Sequence, residues 1–375
     1  MGVLQGILEE VLAKADEVPP ELSGKKLARL AGEMAKVVWK SLEKNKEETL
    51  FHNRLDAEAF TKRNVFRWRE GLDLMEVLAG VSLEVGQSGK GEDGPGDPPS
   101  VDTKQNVLLR LHAKALQIFA EVICLLKHGF ADGALGRWRA LHEAAVMASL
   151  IAANDETLAQ RFLDFRWVES WRRMKTYQHN AQRLGVKPFE REEMDQAHGK
   201  SDEMLAKYGQ SFRGNYGWAA SVVKATGREV SFRDIAEEVG IDHLKPYYQW
   251  ACEKIHVGYL TVHKSLGLRE DLDEQVMIAG PSNAGLCDPA HLSAISLHQV
   301  TCTLSTVFPS MDVLVGCKIT EMLVEKIGDA FLCAHQQLGR EEAELQRQAE
   351  LEFGGDAGDP MGPDADPARN AELPQ

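Results

Sequence analysis

An all-α fold, a multi-helix bundle with an N-terminal helical segment, is what this sequence predicts. Three observations carry that expectation. Apolar residues recur at three- and four-residue spacing through most of the 375 residues. Runs of alternating apolar and polar residues bounded by turn pairs, the mark of strands, are not apparent. The breaks between periodic stretches carry helix caps, such as Asp155 before one and Gly185 after it.

Taken in order, residues 21–46 and 47–85 read as two amphipathic helices, with Trp39, Phe66 and Trp68 as packing candidates. Residues 86–102, GQSGKGEDGPGDPPSVD, have the composition of a flexible linker, so a boundary falls there. The main bundle is expected over 103–353. Its first helix spans 106–127, with Gly129 as a left-handed cap. The next spans 132–153, and the third runs from 154–155 to about 184. A more polar helix follows over 187–208. Ser231 and Asp234 form a capping-box pattern for a short helix. Pro246, tolerated in a first turn, opens a helix expected over 244–266. Asp288-Pro289 starts another reaching about 307, and Pro309 begins a last long helix to about 351. From 354 the chain is almost devoid of apolar residues, which predicts a disordered acidic tail.

Composition narrows the function classes. Hydrophobic residues are 43% and charged residues 27%, ordinary for a soluble globular chain. The net charge is −14, but from 341 onward ten acids face two bases, so the tail carries −8 and the first 340 residues only −6. Broad electrostatic binding to nucleic acid is therefore disfavoured, though left open. Six scattered cysteines without a CxxC pair point to a reduced, cytoplasmic setting. The acidic N-terminal stretch is unlike a secretory signal. The most apolar run, 295–315, is broken by His298, Pro309 and Asp312, so it reads as core and not as a membrane span.

The candidate site comes from two helical wheels. On the helix over 244–266, Tyr248, Cys252, His256, Tyr259 and His263 fall inside an arc of roughly 80°, at the edge of the apolar face. On the helix over 132–153, the later half is apolar on every side and therefore buried. Arg139 and Glu143 stand four apart on the face of Val146 and Leu150, placed to pair with each other. Brought together, Arg139, Glu143, Tyr248, Cys252, His256 and His263 form an enclosed polar cluster. Its arginine can hold a small anionic ligand and its histidines can move protons. The same groups can also simply satisfy one another in a helical core.

At these residues a resemblance enters. Segments 105–153, with GRWRALHEAAVMASLIA, and 212–266, with Trp218, Tyr248, Cys252 and His256 in order, resemble a bacterial family known only as a domain of unknown function. Members pair an early Arg-x-x-x-Glu helix with a later Tyr-x-x-x-Ser-x-x-x-His helix. Arg139, Glu143, Tyr248 and His256 match, and Cys252 stands where serine is usual. The resemblance spans roughly 105–310, implies an all-helical fold and implies no activity.

Other chemistries have thinner support. Arg137-x4-His142 and Arg173-x5-His179 fit the Arg-x(4–6)-His pattern of helical HEPN ribonucleases, and Arg161, Arg166, Arg172, Arg173 and Lys175 suggest a basic surface. A metal-independent ribonuclease acting in phage defence is the alternative function on that ground. Glu253-x-x-His256 has the spacing of di-iron bundles but lacks a second copy. No zinc signature, GxxxxGK[ST] loop or GxSxG elbow occurs, and no metal and no cofactor is expected. A homo-oligomer is compatible with the chain, and no membrane contact is expected.

Overall fold

The computed structural model describes residues 24–88, 102–256, 258–259, 263–268 and 277–353. Among them are ten α-helices and no strands, and 82% of these residues are helical. Most of the predicted linker and the whole acidic tail lie outside the described residues.

Helix α1 (Gly24–Arg67) and helix α2 (Arg69–Ser88) are separated only at Trp68. A break at 46–47 was expected, but nothing there stops a helix. At Trp68 the main-chain bonds still run on, from Trp68 N to Asn64 O at 3.1 Å and from Leu72 N to Trp68 O at 3.0 Å. What distinguishes this position is tertiary. The Trp68 ring is buried, lies on Phe331 with centroids 5.4 Å apart, and donates from Nε1 to Asn283 O. Trp39 and Phe66, the other packing candidates, are instead exposed. Asn64 anchors α1 by donating from Nδ2 to Leu126 O and Lys127 O, carbonyls at the C-terminal end of the helix over Thr103–Lys127.

Helix α3 (Thr103–Lys127) is capped by Asp102, which accepts from Lys104 N, and ends before Gly129 at φ +76°. Helices α4 (Ala131–Ala153) and α5 (Glu156–Leu184) follow. Asp155 caps α5 through Thr157 N and Leu158 N, and Gly185 closes it in the left-handed region. Helix α6 (Arg191–Tyr208) lies against α5. A short α7 (Phe232–Glu238) carries the expected capping box of Ser231 and Asp234. Helix α8 (Lys245–Ile255) leads to α9 (Cys287–Thr303) and α10 (Met311–Phe353).

The centre of the molecule is α9, which packs on α2, α3, α4 and α10. Small residues on it (Ala290, Ala294, Ser293) let neighbouring helices approach, and Leu297 and Val300 fill the remaining space. Trp138 of α4 lies wholly inside and donates to Ser296 Oγ of α9 at 3.0 Å. Each such large apolar side chain taken from water contributes about 1.5–3 kcal/mol. No helix among the described residues is long and apolar enough to cross a membrane.

Candidate functional site

Helix α8 is the main departure from expectation. It ends at Ile255, eleven residues short, with His256 in extended backbone (φ −97°, ψ 122°). The cause is Asp132, in the first turn of α4. Its carboxylate pairs with Lys254 at 3.2 Å and accepts from Ser265 Oγ at 2.6 Å and Leu266 N at 3.1 Å. These bonds pull the chain after α8 back across the start of α4. A straight helix would carry Ser265 about 15 Å beyond Ile255. The wheel therefore holds for Tyr248 and Cys252 but not beyond Ile255. His256, Tyr259 and His263 are exposed, and the rings of Tyr259 and His263 meet each other at 4.4 Å. His256 and His263 thus stand outside any enclosed cluster.

The rest of the cluster forms as the two wheels require. Arg139 Nη2 meets Glu143 Oε1 at 2.8 Å within α4. Tyr248 Oη, from α8, donates to the same oxygen at 2.6 Å. The Arg139 guanidinium lies 5.2 Å from the centre of the Tyr248 ring. Cys252, one turn further along α8, is within electrostatic reach of that guanidinium. Neither partner of the ion pair is fully buried: the Arg139 side chain is 30% exposed and that of Glu143 24%.

Three further residues complete the shell, and the sequence did not single them out for it. His142 is one residue before Glu143 and wholly buried. Its ring stacks on Trp138 at 5.3 Å and faces Phe232 and Tyr248, each at 5.8 Å. Phe232, at the start of α7, stacks on Tyr248 at 4.7 Å. Tyr216, from the loop after α6, lies 6.4 Å from Phe232. His142 entered the sequence reading only through the Arg137-x4-His142 pattern, although it directly precedes Glu143 on α4. Tyr216 and Phe232 come from loop and helix-start positions with no periodic signal.

Electrostatics follows from this enclosure. Burial, then the bond to Glu143 and its charge, hold the Tyr248 phenol well above its usual range. Burial opposes the charge on Arg139, but Tyr248 and Glu143 outweigh it and hold the guanidinium above its ordinary value. Burial, helped by the charge of His243, pushes His142 down to about 4, so its imidazole is neutral near pH 7. Two buried nitrogens of this shell, Arg139 Nε and His142 Nδ1, have no hydrogen-bond partner among the described residues.

The ribonuclease-type pairs are placed differently. Arg137 is paired with Glu121, and His142 is enclosed by aromatic rings. Arg173 and His179 are both exposed on α5. Arg161 does not belong to the basic surface expected on that helix. It is buried, donates to Trp218 O at 3.0 Å and Gly217 O at 3.2 Å, and lies over Tyr208 at 4.6 Å. Among the described residues no group of three or more His, Cys, Asp or Glu is placed to hold a metal ion.

This cluster lies in the stretch that comparison picks out. Residues 105–275 match the model of DUF5677, a family of unknown function. The match takes in α3 to α8, hence Arg139, Glu143, Tyr248 and Cys252, and stops short of α9 and α10; the resemblance drawn over 105–310 is to that extent shortened. No curated protein and no solved structure matches the chain.

Proposed function

We propose that this chain is a binding module whose site is the Arg139, Glu143, Tyr248 and Cys252 cluster between α4 and α8, and that it takes a small anionic ligand, a carboxylate or a phosphate. One observation carries the reading. Arg139 Nε is buried and has no acceptor among the described residues, while the side chain as a whole is 30% exposed. A buried N–H left without an acceptor costs about 1–3 kcal/mol, which a ligand oxygen would recover. Glu143 already occupies one arm of the arginine fork. An anion on the remaining edge would complete the recognition that a planar guanidinium offers. A reducing, cytoplasmic setting belongs to the same proposal, supported by six free cysteines.

The test is a calorimetric and thermal-melt titration of the full chain against small carboxylates and phosphates, with Arg139→Lys alongside. Lysine keeps the charge and removes Nε. Saturable binding that weakens at least tenfold in the variant is expected. Should no anion bind, and Arg139→Lys change only the melting temperature, the cluster organises the core and nothing more.

A further inference from the structure

A second feature lies on the exposed face of α5. A groove of about 670 Å³ runs along this helix, lined by Arg172, Arg173, Thr176, Tyr177, Asn180, Arg183 and Leu184. No acidic side chain lines it. On a chain of net charge −14, three arginines together without an acid are a local reversal of sign.

Their charges are not spent internally. Arg173 and Arg183 are exposed and make no ion pair among the described residues. Arg172 donates only to a neutral partner, Asn215 Oδ1, at 3.3 Å. The nearest acid of the following loop, Glu190, is held by Lys187 at 2.9 Å. Glu169 shares the helix face but lies a turn before the groove. Tyr177 is fixed in the middle, its hydroxyl donating to Lys187 O at 3.2 Å and its ring beside Phe189 at 4.9 Å, with 37% of the residue exposed.

We propose that this face of α5 binds single-stranded nucleic acid, with Arg172, Arg173 and Arg183 on phosphates spaced along one strand and Tyr177 offered to a base. The spacing favours an extended polyanion over a compact one. From Arg172 to Arg183 the helix rises about 16 Å, so the guanidinium groups line a track and do not converge on one point. A fixed, half-exposed tyrosine along a cationic track is the arrangement by which unpaired strands are held without sequence preference. In a duplex the bases are stacked and closed to such a ring. The acidity of the remaining chain confines the contact to this groove, and the phosphate contacts make it salt-dependent.

The experiment is fluorescence anisotropy with the full chain and labelled oligo-U, oligo-dT and duplex DNA of about 12 units, across salt from about 50 to 200 mM. The variants are Arg173→Glu/Arg183→Glu, at exposed positions, and Tyr177→Leu. Circular dichroism of each checks that the helix is intact. The single strands should bind more tightly than the duplex. The double charge reversal should weaken them at least tenfold and flatten the log–log salt slope by about 1.4, since each phosphate contact on a single strand contributes about 0.7. Tyr177→Leu should weaken binding without changing that slope. Absence of binding at the lowest salt, equal binding by the charge-reversed variant, or equal competition by inorganic tripolyphosphate at matched phosphate concentration would each overturn the proposal; the last would mean a compact-anion site.

Discussion

Tyr248 Oη and Glu143 Oε1 meet at 2.6 Å although 105 residues separate them in the chain. That bond ties α8 to α4 and aims the carboxylate that holds Arg139. Tyr248→Phe keeps the ring on Phe232 and removes only the hydroxyl. A hydrogen bond to a charged group contributes about 1.5–3 kcal/mol, and partial exposure of Glu143 lowers this, so a loss of about 1–2 kcal/mol in urea unfolding is expected. An unchanged unfolding midpoint would mean that water replaces the phenol without cost.

Arg139 and Glu143 should be coupled more strongly than a surface pair. Truncating one partner of a fully buried pair costs about 3–5 kcal/mol. With side chains 30% and 24% exposed, the expected cost of Arg139→Ala is lower, about 2 kcal/mol. A double-mutant cycle with Glu143→Ala isolates the interaction, for which about 1 kcal/mol is expected. Additive losses would show that the two side chains stabilise the fold separately.

Acid should weaken the fold through two buried imidazoles. Burial lowers both His142 and His112 from 6.5 to about 4. The unfolded chain therefore binds protons that the folded chain refuses between those values. Stability from these groups is fully present above about pH 6.5 and is lost as pH falls toward 4, at up to about 1.4 kcal/mol per pH unit for each histidine. His142→Phe leaves an aromatic ring against Trp138 and Phe232 and removes one of the two. Its unfolding free energy, measured from pH 7 to pH 4.5, should fall along a visibly shallower line. Parallel lines for wild type and variant would show that His142 is protonated in the folded state.

Much of this was legible in the sequence, for local reasons. Asp155, Gly185 and the Ser231–Asp234 box act on their own helix ends, so those bounds emerge as the sequence predicts. Arg139, Glu143 and Tyr248 follow from helix faces alone. What was not legible depends on distant partners. The end of α8 is set by Asp132, more than a hundred residues earlier. The break at Trp68 coincides with its contacts to Phe331 and Asn283, both more than two hundred residues later. Arg161 looked like surface charge because the carbonyls of Gly217 and Trp218 that receive it leave no mark in composition.

Two glycines of α2 carry the last prediction, with opposite signs. A Cβ on Gly71 would run into Phe331 Cδ2, far inside contact distance. The Phe331 ring cannot swing aside, because it is buried against Trp68, itself 1% exposed. Gly71→Ala should therefore cost about 1–3 kcal/mol by overpacking. Gly80 has nothing within 4 Å of its added carbon and is exposed. There alanine reduces the freedom of the unfolded chain and suits the helix, so Gly80→Ala should gain about 0.5–1 kcal/mol. Both shifts are read from urea midpoints of the single variants. If Gly71→Ala matched Gly80→Ala, α2 would not be pressed against α10 at Phe331.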